Sequence, residues 1–167
     1  MIPRNIDPER NMPYDPILLV EDDENDVFIM RRALERARIV NPLVVVRDGL
    51  EAINYLKGMG SDATGAPSPP LLLLLDIKMP VMGGFEVLEW IRKQRPLNRV
   101  VVIVFSSSRH PSDIARAYDL HANSFLVKRS SVEETTELLR SLHNYWFCWN
   151  EKPNLQVVLT RLLDAGS

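Results

Sequence analysis

The sequence predicts an α/β fold: a doubly wound, five-stranded parallel sheet with helices on both faces. Short aliphatic runs alternate five times with amphipathic stretches of helical period. The runs are apolar on both faces, as strands buried between two helical layers require, and right-handed crossovers distribute the helices to both sides. The expected strand order is 2-1-3-4-5. A length of 167 residues suits one such domain.

Five strand–helix units follow one another along the chain. The aliphatic run Ile17–Val20 predicts the first strand, and the helix Asp26–Ala37 follows because Val27, Met30 and Leu34 fall on one face. The same reasoning gives strand Leu43–Val46 with helix Leu50–Met59, strand Leu71–Leu75 with helix Phe85–Gln94, strand Val100–Phe105 with helix Ser112–Leu120, and strand Ser124–Val127 with helix Val132–Tyr145. In the second crossover, Gly60–Pro70 is rich in Gly, Ser and Pro and predicts a surface insertion.

Two terminal segments flank the predicted domain, which spans residues 16–149. Residues 1–15 carry three prolines and no apolar period, which predicts a flexible arm. The extension at residues 150–167 includes the apolar run LQVVLTRLL. Exposed apolar surface costs about 25 cal/mol per Å², so this extension is expected to pack, either on its own domain or, as we favour, as a dimerisation arm.

Composition excludes several classes of function. A net charge of −2 gives no basic field, so neither nucleic acid nor a membrane surface is an expected partner. Cys148 is the only cysteine, which excludes an intrachain disulfide and a cysteine-rich metal site. The three histidines lack metal-binding spacing, and no P-loop is present. Without an apolar signal segment, the expected compartment is the cytoplasm.

Charged and hydroxyl side chains follow four of the predicted strands. Glu21 and Asp22 follow the first strand, Asp76 the third, Ser106 the fourth and Lys128 the fifth. In the order 2-1-3-4-5 the first and third strands are neighbours, and their carboxyl ends form the crevice where ligands bind in open α/β sheets. The three acids are therefore expected to lie close together.

Carboxylates held together in this way require a cation. Two of them at about 4 Å repel by about 4 kcal/mol at an effective dielectric of about 20. Mg²⁺, or Mn²⁺ in its place, suits carboxylates, a backbone carbonyl and water, and Lys128 adds a fixed positive charge. A site of this kind suits a phosphoryl group, which the Asp76 carboxylate can accept as nucleophile while the lysine and the Ser106 hydroxyl neutralise its oxygens.

The motifs VEDD, LLLLLDIKMP, VFSSS and FLVK, in this order, resemble the receiver domains of two-component response regulators, which have a flavodoxin-like fold. The resemblance covers residue 16 to about residue 144. The intervals from Asp76 to Ser106 and from Ser106 to Lys128 match the family. The interval before Asp76 is longer by about the length of the insertion.

The resemblance implies the members of the metal site. Asp76 would be the phospho-acceptor and a metal ligand, and Asp22 would bind Mg²⁺ directly. Glu21 would act through water, and Lys78 would contribute its backbone carbonyl. Acids at a helix start also stabilise that helix, which is the ordinary interpretation of the EDDEND run taken alone.

The resemblance also implies a switch. Ser106 and Lys128 would contact phosphoryl oxygens, and Phe125 falls at the position of an aromatic ring that turns inward when the hydroxyl moves. One departure concerns the residue after the lysine, where the family usually has proline and this chain has Arg129. The loop that follows Lys128 is therefore expected to differ in shape.

A narrower resemblance, to stand-alone receivers that partner bacterial phytochromes and similar sensor histidine kinases, is carried by the Pro-Pro insertion and the aromatic run YWFCW. It implies a sensor histidine kinase as partner, with a bacteriophytochrome as one candidate. It also implies a homodimer and an output by change of surface and association state. The protein would not be an enzyme, although it would assist its own Mg²⁺-dependent phosphorylation and dephosphorylation.

Two alternatives remain open. Phosphatases of the haloacid dehalogenase type also use a strand-end aspartate and Mg²⁺, but they carry a second aspartate where this chain has Lys78. A degenerate receiver retained as a constitutive dimerisation or interaction module is the other, and Arg129 and the apolar extension are the features that favour it.

Overall fold

The protein forms a five-stranded, fully parallel sheet in the order β2-β1-β3-β4-β5, as predicted. This computed structural model describes residues 15–59, 66–95, 97–151 and 153. The strands are β1 Ile17–Val20, β2 Leu43–Val46, β3 Leu72–Leu75, β4 Val102–Ser106 and β5 Ser124–Val127. The helices are α1 Glu24–Ala37, α2 Gly49–Gly58, α3 Gly84–Lys93, α4 Pro111–Asp119 and α5 Val132–Leu142.

Alternating side chains of the strands feed two separate apolar layers. In β1, Leu18 and Val20 pack with the layer under α2 and α3, whereas Ile17 and Leu19 pack with the layer under α1 and α5. All four residues of the central strand β3 are buried, but all four residues of the edge strand β5 are only partly buried. This two-sided burial explains why the strand sequences show no polar alternation.

The first helix begins two residues earlier than predicted. Asp23 is its N-cap, and Oδ1 of that residue accepts hydrogen bonds from the backbone N–H groups of Asn25 (2.7 Å) and Asp26 (3.1 Å). Such a cap satisfies donors that have no partner within the helix. Helix α1 therefore starts immediately beside the end of β1.

The fourth strand also differs from the prediction. A 3₁₀ turn at Leu97–Arg99 precedes it, and β4 runs from Val102 to Ser106 rather than from Val100 to Phe105. Ser106 is thus the last strand residue and is completely buried. Ser106, which was predicted to follow the fourth strand, is therefore part of that strand.

Helical structure continues beyond the predicted end at Tyr145. A π-helical turn, His143–Trp149, extends α5. Trp146 and Phe147 pack against the layer under α1 and α5, while Tyr145 and Trp149 are 57% and 73% exposed. The aromatic run therefore belongs partly to the core and partly to the surface.

Three predicted segments fall largely outside the described residues. These are the arm at 1–15, the insertion at 60–70 and the extension at 150–167, of which 1–14, 60–65, 152 and 154–167 are not described. Their predicted roles stay predictions. Among the helices that are described, none has the length and apolar character needed to cross a membrane.

The start of α3 is pressed against the end of β3. A Cβ atom on Gly84 would overlap the backbone carbonyl of Asp76 and would lie 2.9 Å from Cα of Ile77. Both obstacles are backbone, which cannot rotate away as a side chain could. Only glycine fits there, and this close packing fixes the backbone on which Asp76 is carried.

We expect Gly84→Ala to destabilise the protein by about 1–3 kcal/mol or more, because the added methyl group must push the two backbones apart. Denaturant unfolding followed by circular dichroism measures this change. Gly83→Ala is the matched control: its Cβ would lie 3.4 Å from the nearest atom, and φ at this residue is −74°. A Gly84→Ala cost no larger than that of the control would contradict the close packing.

Candidate functional site

Three carboxylates meet at the carboxyl edge of the sheet. Glu21, Asp22 and Asp76 each offer an oxygen atom that lies within 4.8 Å of the other two. The register of the sheet produces this cluster, because Val20 pairs with Leu75 and the next residue of each strand is an acid. Glu21 and Asp76 are buried, whereas Asp22 is exposed. The cluster is therefore open to solvent on one side only.

Lys128 supplies the positive charge. It follows β5, and its backbone N–H donates to the carbonyl of Ser106 (2.9 Å). Its Nζ donates hydrogen bonds to Asp76 Oδ2 and to Asp26 Oδ2, both at 2.7 Å, and lies 2.5 Å from Glu21 Oε2. The lysine side chain is only 8% exposed. One buried ammonium group thus faces three carboxylates from three different elements.

Burial and charge act against each other in this cluster. Burial raises the pKa of Glu21 to about 7, against the hydrogen bond and the positive charge of Lys128, which lower it. Burial acts to lower the pKa of Lys128, but its contacts with the three carboxylates together outweigh burial and hold that pKa above its usual range. The lysine is charged at neutral pH.

Asp26 is a site residue that sequence reasoning missed. The sequence interpretation placed it at the start of the first helix, where an acid is stabilised by the helix dipole. In the structure it lies in the first turn of α1, and its carboxylate reaches Lys128. Because Asp22 precedes the N-cap, no helical spacing linked Asp26 to the acid cluster, and the sequence offered no signal for this contact.

The remaining predicted site residues occupy different surroundings. Lys78 lies next to the acid cluster, and its backbone N–H donates to Asp76 Oδ1 (3.2 Å) while its side chain is exposed. The Ser106 hydroxyl accepts the backbone N–H of Ser108 (3.3 Å). Phe125 is half-buried and packs against the layer under α2 and α3.

The loop after β4 holds a second hydrogen-bonded group that the sequence did not reveal. The buried Ser108 hydroxyl donates to the Asp113 carboxylate in the first turn of α4. The same hydroxyl accepts the backbone N–H of His110 (3.4 Å). These contacts join the loop that follows Ser106 to the start of α4.

The carboxylate cluster fits a hard divalent cation. Its donors are all oxygen atoms, its two buried members have few other partners, and its exposed member leaves room for coordinated water. Oε2 of Glu21 is buried, and its contact is the ion pair with Lys128 Nζ at 2.5 Å, which engages one lone pair and leaves the other for a coordinated water. Mg²⁺ and Mn²⁺ both prefer this donor set.

We expect the raised pKa of Glu21 to appear as a pH dependence of stability in metal-free buffer. Between pH 4.5 and about 7 the folded protein keeps a proton on Glu21 that the unfolded chain has released. This group's contribution to the free energy of unfolding therefore falls as pH rises through that window, by up to about 3 kcal/mol.

Denaturant titrations at several pH values measure that slope, and Glu21→Gln is the control. Because glutamine does not titrate, the variant should lose this part of the slope and gain stability relative to the unmodified chain at pH 7 to 8. An unchanged slope in Glu21→Gln would show that other groups produce the pH dependence.

Comparison with known proteins agrees with this geometry. The response regulator receiver domain family matches residues 17–140. The probable methanogenesis regulatory protein FilR2 of Methanothrix harundinacea is 35% identical over 82% of this chain and 86% of its own length. The response regulator Rcp1 of Synechocystis is 31% identical over 83% of this chain and 92% of its own length.

Two solved structures extend the comparison. The Mn(2+)-bound form of Rcp1 superposes with a TM-score of 0.72 at 30% identity, covering 83% of this chain and 99% of that one. The phosphorylated cyanobacterial phytochrome response regulator RcpA superposes with a TM-score of 0.74 at 32% identity, covering 84% and 99%.

Receiver domains are phospho-acceptors rather than enzymes that turn over an external substrate. This chain shares three features with receiver domains: the strand order of the five-stranded sheet, the acid cluster of Glu21, Asp22 and Asp76, and the buried Lys128. With a matching family and relatives above 30% identity over most of its length, the chain belongs to the response regulator receiver domain family.

Proposed function

We propose that this protein accepts a phosphoryl group on Asp76 and signals by a change of surface and association state. The observation that carries the proposal is the environment of Asp76. This buried carboxylate lies in an acid cluster suited to a divalent cation, and a buried ammonium group contacts one of its oxygens at 2.7 Å. A nucleophilic carboxylate, a metal site and a fixed cation are what phosphoryl transfer to an aspartate requires.

The transfer conserves atoms and charge. An oxygen of Asp76 forms a bond to phosphorus while the bond from phosphorus to the donor atom breaks. That donor atom is an oxygen in acetyl phosphate, which leaves as acetate, and a ring nitrogen in a phosphohistidine, which leaves as the free imidazole. Lys128 faces the acceptor and would neutralise one phosphoryl oxygen. Ser106 would donate its hydroxyl hydrogen to another, which is compatible with its present hydrogen bond because its oxygen acts there as an acceptor.

The metal would be held by the acid cluster. In this proposal Asp22 and Asp76 are direct ligands, Glu21 acts through water, and the backbone carbonyl of Lys78 completes the protein's contribution. An Mg²⁺ ion held by these residues would supply positive charge to the phosphoryl oxygens. The exposure of Asp22, in contrast to its two buried partners, supports an opening through which the ion and the phosphodonor reach the site.

The output would pass from the site to the face formed by α4, β5 and α5. Phe125 is part of this route because it lies in β5, three residues before Lys128, and is only half-buried. A shift of the Ser106 hydroxyl toward the phosphoryl group would free space into which this ring can turn. The partly buried edge strand supports such repacking at small cost in buried area.

The partners follow from the same family. We propose a sensor histidine kinase as phosphodonor, with a bacterial phytochrome as the candidate, since one relative is a phosphorylated phytochrome response regulator. We also propose a homodimer, supported by the exposed aromatic rings of Tyr145 and Trp149 at the end of the described helix. In this division residues 16–149 form the receiver, 1–15 an arm and 150–167 a dimerisation extension.

Those exposed rings equally favour the alternative, a module that associates constitutively without a phosphoryl switch. The two functions differ in whether association depends on Asp76. A switch requires an intact acceptor, whereas a constitutive module does not.

We expect acetyl phosphate with Mg²⁺ to add one phosphoryl group, and Asp76→Asn to abolish the adduct because an amide cannot act as the nucleophile. Intact mass detects the adduct, and sedimentation velocity on the same samples detects the change of association state. The switch predicts a shift that needs Mg²⁺, the donor and Asp76. Association that is the same in every sample, with no adduct, would instead support the constitutive module.

We expect Asp22→Asn to weaken Mg²⁺ binding by about tenfold or more, because it removes one carboxylate ligand from a hard-cation site. Isothermal calorimetry at fixed pH measures the affinity. Glu24→Gln is the matched control, since it removes the same charge from a side chain that pairs with Arg47 (2.8 Å) and is 78% exposed. Equal weakening in both variants would point to general charge rather than ligation.

A further inference from the structure

The carboxylates that contact the buried Lys128 ammonium group are of two kinds. Two of the carboxylates around Lys128, Glu21 and Asp76, belong to the acid cluster. The third, Asp26, lies outside that cluster on α1, yet its hydrogen bond to Nζ is as short as that of Asp76, at 2.7 Å. Asp26 therefore takes part in the site through the lysine alone.

The local backbone holds Asp26 in this position. Its N–H donates to the N-capping carboxylate of Asp23 (3.1 Å), which fixes the first turn of α1 beside the sheet edge. Its side chain is 30% exposed, against 8% for the Lys128 side chain. The Asp26 side chain is thus partly open to solvent while its Oδ2 accepts the hydrogen bond of the ammonium group.

An incoming phosphoryl group changes the balance of charge around the lysine. In the transfer described above, Asp76 exchanges a carboxylate charge of −1 for a phosphoryl group that brings about two negative charges at neutral pH. The electrostatic attraction between this phosphoryl group and the Lys128 ammonium group is stronger than that between the unmodified carboxylate and the same ammonium group. Asp26 does not react, so it continues to attract the same ammonium from the side of α1 and competes with the phosphoryl oxygens for it.

We propose that Asp26 is a positioning residue that withholds part of the Lys128 charge from the phosphoryl group and so limits phosphoryl capture. The proposal rests on the proposed function of Asp76. It assigns Asp26 no contact with metal or phosphate, only the hydrogen bond to Nζ. The carboxylate of Asp26 acts as a fixed counter-charge that keeps the phosphorylated state less stable than the lysine alone would make it.

Removing the negative charge of Asp26 should change two affinities in opposite directions. Asp26→Asn keeps an oxygen that can accept the hydrogen bond but removes the negative charge. We expect the affinity for beryllofluoride, an analogue of the phosphoryl group, to rise about threefold to tenfold at saturating Mg²⁺, the effect of one partly exposed charged partner. The affinity for Mg²⁺ alone should fall, because the site becomes less negative.

A merely structural role for Asp26 would not give this pattern. If the residue served only to hold Lys128 in place, its loss would misplace the ammonium and weaken beryllofluoride binding. Two titrations on the full chain, Mg²⁺ by calorimetry and beryllofluoride by tryptophan fluorescence with Mg²⁺ present, separate the two roles. Decay of the phosphorylated protein after removal of acetyl phosphate gives a third readout, and we expect a longer lifetime in Asp26→Asn.

Two variants control the experiment. Glu24→Gln removes the same charge from the same helical turn, but Glu24 contacts Arg47 rather than the lysine, so beryllofluoride affinity should stay within about twofold of the unmodified chain. Asp26→Glu retains the charge and should also stay within about twofold. Asp26→Ser provides a second uncharged side chain if the asparagine variant does not fold.

The outcomes are distinguishable. If the unmodified chain takes up neither beryllofluoride nor a phosphoryl group, the proposed function fails and the role of Asp26 fails with it. If the unmodified chain takes up both and Asp26→Asn binds beryllofluoride equally or more weakly, only the role of Asp26 is overturned. A gain in Glu24→Gln as large as that in Asp26→Asn would overturn it as well.

Discussion

The contact between one buried ammonium group and three carboxylates is the interaction on which the site depends. Lys128 at the end of β5 joins acids that come from β1, β3 and α1. None of these charges could be buried alone, since an unpaired buried charge costs several kcal/mol. The sheet brings the acids together, and the positive charge of the lysine offsets the repulsion between their carboxylates when no metal ion is bound. Fold and site are therefore two results of the same strand order.

Sequence reasoning succeeded where one physical cause dominated. The leucine run before Asp76 fits a strand buried on both faces best, and the alternation of aliphatic runs with amphipathic stretches predicted a doubly wound sheet, a common strand order of which is the one observed. The acids and the lysine were then located by their place at the strand ends. The resemblance of the motifs supplied the family, which the comparisons confirmed.

Sequence reasoning failed where two causes compete for one residue. An acid in the first turn of a helix is already explained by the helix dipole, so the sequence offered no reason to expect the contact of Asp26 with Lys128. The hydrogen bond of Ser108 to Asp113 depends on how α4 approaches the sheet, which no sequence pattern specifies. The aromatic run after α5 changed the composition without ending the helix, because Trp146 and Phe147 still had core to pack against.

The centre of the sheet and its β5 edge differ in how deeply they are buried. The strand that leads to Asp76, β3, is fully buried between two strands and two helical layers, whereas β5 lies at the edge with every side chain partly accessible. The proposed acceptor is thus held at the buried centre of the sheet, while Phe125 lies on the partly accessible edge strand. Under the proposed function, an event at a single atom would deform the margin of the molecule and leave its centre unmoved, so that a small domain reports a reaction without disturbing the geometry that performs it.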